Sequence, residues 1–144
     1  MMRDWIIQLA TAFLGSLGFS LVFGVRRRHL FAASLGGLFA WAIYLAVDAW
    51  LHSGFLACLL ASAFSVLYSE LLARLRKTPA TLFLVPAIIP LVPGSSLYYA
   101  MSCVVRKDFS NAREYGTLTL EYALAIAAGI SFVLAVREIR TRKT

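Results

Sequence analysis

Charge is scarce in this chain of 144 residues, and acidic charge scarcer: 14 residues are Lys or Arg, seven are Asp or Glu, and together charged residues make up 15%. An average soluble domain carries about 25%. With 60% hydrophobic residues and a mean hydropathy of +0.77, a water-soluble domain is excluded and the composition is that of an integral membrane protein. Cysteine and histidine are rarer still, two of each. Cys58 and Cys103 form no CxxC pair and fall inside apolar stretches, while His29 and His52 stand alone at the ends of such stretches. No metal site and no cofactor is read from them. Two small buried thiols are the expectation, with a disulfide left open because both cysteines fall toward the same end.

Long apolar runs are what the chain has instead. About 20 residues cross roughly 30 Å of hydrocarbon, and runs of that kind occupy residues 5–25, 30–51, 55–73, 80–105 and 117–136. The expected fold is therefore an all-α integral membrane protein of five transmembrane helices in a single domain over residues 1–144. The connectors are short and leave no segment for a separate catalytic module. The first run is too long for a signal peptide, is followed by "RRRH" and has no small-residue cleavage site after it, so it reads as a retained helix.

Lys and Arg placement in short loops sets orientation. Arg26, Arg27 and Arg28, then Arg74, Arg76 and Lys77, then Arg137, Arg140, Arg142 and Lys143 fall on one side of a five-span chain. Arg3, Arg106, Lys107 and Arg113 fall on the other, diluted by Asp4, Asp108 and Glu114. This predicts an outside N-terminus and a cytoplasmic C-terminus in the cell membrane. The net charge of +7 is then a topology and lipid-headgroup signal; dispersed at helix ends, it does not describe nucleic-acid binding.

Four of the runs carry small or polar residues at helical spacing. The sets are Gln8, Thr11, Gly15 and Gly18; Ser34, Gly37, Trp41, Tyr44 and Asp48; Cys58, Ser62, Ser65 and Ser69; and Glu121 with Ala125 and Ala128. Close helix packing explains each alone, whereas four together suggest a shared interior, either a packed core or a polar pathway. Three acids lie within the runs. Glu70 stands four residues before Arg74, the spacing of an interfacial ion pair. Asp48 is one turn from the outer end of its run and within reach of water. Glu121 is deeper on a small-residue face, where an ionisable group is costly unless paired or wetted. Asp48 and Glu121 are the candidates for proton coupling or for binding a substrate amine.

The fourth run is interrupted by Pro86, Pro90 and Pro93, followed at once by Gly94, Ser95 and Ser96. As one helix, residues 78–105 would measure about 42 Å, more than a bilayer core requires. Each proline lacks the N–H that would bond the carbonyl four residues earlier, which frees the carbonyls of Leu82, Pro86 and Ile89. Beyond them, Gly94 permits a turn and Ser95 is a good N-cap for a second half-helix, whose free N–H groups suit a carboxylate. Acceptors and donors would meet near mid-membrane, as in the discontinuous helices of secondary transporters. A kink that serves packing alone is the competing explanation.

The run "ELLARLRKTPATLFLVPAIIPLVPGSSLYYAM" resembles the small all-membrane component of the threonine/serine exporter family, where a charged loop leads into a span with a PLVPG signature followed by a tyrosine. The resemblance extends upstream through "LGSLGFSLVFGVRRRHLFAASLGGLFAWAIY", although the first loop, which often holds a proline in that family, reads "GVRRRH" here. It implies a secondary exporter of small amino acids, threonine and serine above all, with small dicarboxylates such as succinate linked to some members. It also implies a larger membrane subunit as partner; a second five-span unit fused to this one would lie inverted relative to it.

The expected site is then Pro90, Pro93, Gly94, Ser95, Ser96 and Tyr98, with Asp48 and Glu121 as coupling or amine-binding groups. The expected partners are the lipid bilayer, the larger subunit, a small amino acid or dicarboxylate, and conceivably further copies of the chain. A structural subunit that stabilises a transporting partner and binds no solute is the rival. An intramembrane hydrolase is disfavoured, since no serine or cysteine has a histidine at a plausible depth.

Overall fold

The computed structural model describes residues 2–142, and among these it contains helices and no strands. Helix α1 spans Met2–Val22, α2 Arg27–Leu51 and α3 Gly54–Arg76. The fourth run is two helices, α4 Thr81–Ile88 and α5 Gly94–Val105, joined through a 3₁₀ turn at Ile89–Leu91 and bent by 51°. Helix α6 runs from Phe109 to Arg142. Four single helices are long and apolar enough to cross a membrane, and the bent pair makes a fifth span. The all-α, five-span expectation with a broken fourth span is met.

The helices outrun the apolar stretches because local chemistry, not hydropathy, sets their ends. His52 and Lys77 close α2 and α3 in the left-handed conformation, their N–H groups bonding Asp48 O and Ala73 O. Ser53 accepts from the Leu56 N–H at the start of α3. Asp108 caps α6 by accepting from the Asn111 N–H at 3.3 Å and its amide at 2.6 Å, so α6 begins at Phe109, well ahead of its apolar run. At 34 residues it measures about 51 Å and extends past any bilayer core into the basic end.

The interior is built from small residues. Ala33, Ala40, Ala57, Ala61, Ala87 and Ala125 are fully buried, while Leu14, Phe31, Leu67, Leu120, Leu124 and Phe132 are exposed. Large apolar side chains therefore face outward where lipid can solvate them, and small ones let backbones approach. Helices α2 and α3 sit centrally: α1 packs on α2, α6 on α3, and α4 lies across both, whereas α5 rests along α6.

Close approach is most demanding at two glycines. A Cβ on Gly37 would overlap Ser16 and sit 3.2 Å from the Pro86 carbonyl, and a Cβ on Gly129 would overlap Ser62 and sit 2.5 Å from the Leu59 carbonyl.

The shared interior is a packed core. Ser62, Ser65 and Ser69 are fully buried, yet each hydroxyl donates to a carbonyl of its own helix, Leu59, Ala61 and Ser65 respectively, at 2.7–2.9 Å. Ser34 does the same to Leu30. These stripes therefore hold no open polar pathway. The α1 face differs from expectation: Gln8, Thr11, Gly15 and Gly18 are exposed, the first two beside a groove against α2, and Ala12, Ser16 and Ser20 are the residues buried in the bundle. The buried face of α6 is likewise Ala125, Ile126 and Gly129, leaving Glu121 and Ala128 exposed. The hydropathy pattern cannot separate these faces, because every side of a membrane helix is apolar.

One further expectation is revised. Glu70 pairs with Arg137 of α6 at 2.7 Å, not with Arg74; the α3–α6 packing supplies a partner that spacing within α3 could not reveal. Cys58 and Cys103 are free thiols, the first buried and the second half-buried. His29 is no exposed helix end: it is 1% exposed, edge-on to Phe83, with Nε2 accepting from Arg28 Nε at 2.9 Å.

Candidate functional site

The chain at the break runs from α4 through Ile89, Pro90 and Leu91 into an extended Val92 (φ −63°, ψ 125°), then Pro93, then α5. The carbonyls freed by the prolines have partners. Ser16 of α1 donates its buried hydroxyl to Pro86 O at 2.9 Å, the bond for which Gly37 leaves room. Ile89 O accepts from the Val92 N–H at 3.2 Å within the 3₁₀ turn. Two of the acceptors assigned by sequence to a solute or ion are therefore already bonded by the protein.

The donors are arranged differently. Helix α5 starts at Gly94 after an N-cap at Pro93 that makes no side-chain cap, so Ser95 lies within the first turn and is not the N-cap. Gly94 N–H bonds Val92 O at 2.8 Å and Leu97 N–H bonds Pro93 O at 3.1 Å. The Ser95 and Ser96 N–H groups between them have no acceptor in the helix, the ordinary condition of a first turn. Gly94 has no left-handed φ and open space around its Cβ position, so the turn is made by Val92 and Pro93 and does not depend on glycine. Ser95 is exposed and Ser96 half-buried.

Pro90 faces another quarter. With Gln8, Thr11, Ala12 and Trp41 it lines a cavity of about 230 Å³ between α1, α2 and the turn. Thr11 turns its hydroxyl back to Ile7 O and Gln8 O. Trp41 stacks on Tyr44 at 4.8 Å, and its indole N–H is buried without an acceptor. Leu91 inserts into the core beside Ala40, Cys58, Ala61, Ala125 and Ile126, which pins the break to the bundle.

The two acids lie on either side of one cluster. Asp48 is within electrostatic reach of Tyr44 and Cys58, Glu121 is within reach of Cys58, and the Tyr44 and Tyr122 hydroxyls approach one another. Among the described residues neither acid has a cationic partner. Tyr98 lies on α5, fully outside the core, edge-on to Tyr99, which itself meets Tyr115 of α6 at 5.5 Å. That contact joins α5 to α6, on which Glu121 lies further along the chain.

Of the residues predicted from sequence, the structure thus leaves Ser95 and Ser96 in the first turn of α5 and Glu121 exposed on the adjoining α6, sets Pro90 in the cavity facing α1 and α2, and leaves Tyr98 apart. Sequence reasoning missed Ser16, which carries no signal beyond its helical spacing with Ala12 and Ser20, and Tyr122, which was hidden by its neighbour Glu121.

A family profile described as Threonine/Serine exporter, ThrE matches residues 8–136. The chain belongs to the threonine/serine exporter family. No curated protein and no solved structure matches it. Membership makes the chain an exporter-type membrane transport protein, and the match takes in the helix break and both acids. Within that family, the break is the part of this chain where backbone polarity lies inside a span.

Proposed function

We propose that the chain is the small membrane subunit of a secondary transporter that exports a small carboxylate-bearing solute, threonine or serine before a dicarboxylate such as succinate. The observation that carries this reading is the pair of unbonded N–H groups at Ser95 and Ser96 on an uncapped half-helix inside the membrane. A helix N-terminus favours an anion, and Glu121 on the adjoining α6 supplies the opposite charge. A zwitterionic amino acid presents both complements, a carboxylate for α5 and an ammonium for Glu121. Pro90 and Pro93 hold the half-helix at its angle, Tyr98 lies on the approach along α5, and Asp48 is the second acid available to a proton.

Among the described residues α5 packs chiefly on α6, and Glu121 is exposed on a membrane-spanning helix. An exposed intramembrane carboxylate is costly. A larger membrane subunit of the same family is the proposed cover; further copies of this chain are the alternative. The basic end is placed in the cytoplasm with the C-terminus.

Proteoliposomes containing this chain with the larger subunit should accumulate labelled threonine or serine under an imposed gradient, and this chain alone should not. Glu121→Gln should abolish flux driven by a proton gradient while sparing exchange at equal pH. Equal activity of the chain alone would remove the partner from the reading, and an unaltered pH dependence would remove Glu121. Single cysteines at His52 and Phe109, in a background without Cys58 and Cys103, should react with an impermeant thiol reagent outside whole cells; reaction at Arg27 instead reverses the orientation.

The rival reading, a structural subunit, draws on the bonded carbonyls of Pro86 and Ile89. It predicts normal transport when Ser95 and Glu121 are both replaced.

A further inference from the structure

At the basic end, α3 and α6 diverge around a trough of about 660 Å³ whose walls are Leu67, Leu71, Phe132, Val133 and Val136. Glu70, Arg74 and Arg137 form its polar rim. The same three residues border a second hollow of about 370 Å³, closed by Ala73, Thr78 and Ala80 at the α3–α4 connection. One site is therefore apolar along the helices and polar at their ends.

The polar part is cationic and under-bonded. Arg137 is engaged with Glu70 at 2.7 Å, while Arg74 has no hydrogen bond or ion pair with any described residue. The Thr78 hydroxyl is buried without a partner. Helix α4 begins beside it, with its Leu82 and Phe83 N–H groups already taken by the Pro79 and Ala80 carbonyls at 3.2 and 3.1 Å. An unbonded arginine and an unpartnered hydroxyl ask for the same thing, a compact oxyanion. The trough asks for hydrocarbon.

We propose that this site binds an anionic phospholipid, its phosphate held by Arg74 and Thr78 and one acyl chain lying in the α3–α6 trough. Charge complementarity favours this occupant: the rim and adjoining loop carry Arg74, Arg76, Lys77 and Arg137 against Glu70. A partner helix would fill the trough but leave the cationic hollow without an anion. The inference rests on the membrane fold alone and is independent of which solute is carried.

The test uses the full chain in detergent, with native mass spectrometry and thermal unfolding as readouts and phosphatidylglycerol, phosphatidylcholine and inorganic phosphate as probes. Phosphatidylglycerol should stay bound and raise the unfolding temperature, whereas phosphatidylcholine and inorganic phosphate should do so weakly. Arg74→Gln should weaken phosphatidylglycerol at least about tenfold, the scale on which a charge-assisted bond acts, and Thr78→Val should weaken it less. Arg74→Lys should restore part of the binding. Arg27→Gln, at the same end but away from the trough, should leave it intact. Equal retention of phosphatidylcholine would overturn the headgroup site, and equal binding of phosphate alone would overturn the lipid. Equal losses in the Arg74 and Arg27 variants would reduce the effect to general surface charge. A dimer whose contact phosphatidylglycerol cannot displace would assign the trough to a second copy of the chain.

Discussion

Pro86 and Gly94 belong to one proline-rich stretch, yet around Pro86 the space is filled and around Gly94 it is empty. The Pro86 carbonyl is bonded by Ser16 from another helix, next to Gly37, whose missing side chain makes that bond possible. At Gly94 a Cβ would meet no atom within 4 Å, and the helix that starts there has α6 as its neighbour. The stretch thus has an anchored half and a half held from one side. Stability in proteins is uneven, and elements with few buried contacts open at lower cost. In a chain assigned to transport, the sparsely held half is the one bearing the unbonded donors.

The largest expected effect is at the anchor. Gly37→Val places branched carbon where Ser16 and the Pro86 carbonyl already lie, and the carbonyl belongs to backbone that cannot rotate aside. Overpacking a filled site costs about 1–3 kcal/mol and occasionally more; with two elements displaced, the upper part of that range is expected. Membrane yield and unfolding temperature should both fall sharply. Wild-type stability in this variant would mean that the α1–α2–α4 contact is not the anchor.

A smaller effect separates two kinds of buried serine. Ser16→Ala leaves the Pro86 carbonyl, already deprived of a helical donor by Pro90, without its bond, a loss of about 1–3 kcal/mol for an unsatisfied buried group. Ser65→Ala removes a hydroxyl that bonds Ala61 O, a carbonyl in mid-helix that keeps its backbone donor. Thermal unfolding should show a clear loss for the first and little change for the second. Equal losses would erase the distinction between a cross-helix cap and a packing residue.

Much of the fold was legible because apolar length and punctuation are strong signals: five runs gave five spans, and three prolines with Gly94 gave the break. Faces were less legible. Ser62, Ser65 and Ser69 were read onto one side of α3, and they are buried together, but Gln8, Thr11, Gly15 and Gly18 were read as interior and are exposed, Gln8 and Thr11 at the edge of a groove. Small residues on a membrane helix mark close approach to something, and the pattern alone cannot say whether the neighbour belongs to this chain. The site was half legible. That Pro90 and Pro93 free two carbonyls follows from covalent chemistry; that Ser16, far away in sequence, and the Val92 N–H would take them depends on tertiary packing. Glu70 failed for the same reason, since its partner Arg137 is brought in by the α3–α6 contact.

The smallest expected effects lie at the sparsely held half, and they are where sequence and structure disagree most directly. By sequence, Gly94 is the residue that makes the turn, and any side chain there should disturb it. In the structure Gly94 is the first residue of α5, with ordinary φ and open surroundings. Gly94→Ala should therefore leave the unfolding temperature unchanged or slightly raised, by at most the roughly 0.5–1 kcal/mol that alanine gains over glycine in a helix. Transport should persist, because the Ser95 and Ser96 N–H donors are backbone groups that the substitution does not remove. Ser95→Ala also spares those donors and deletes one hydroxyl; a neutral hydrogen bond is worth about 0.5–1.5 kcal/mol, so solute affinity should fall by up to about tenfold with folding intact. The two variants measured side by side, for unfolding and for flux, divide the possibilities. If Gly94→Ala destabilises the protein as Gly37→Val does, α5 is held by contacts beyond α6 and the anchored and open halves are one. If it is stable but inactive, the close approach of a ligand to the Gly94 backbone is what keeps glycine there, and the solute sits deeper in the first turn than the Ser95 hydroxyl.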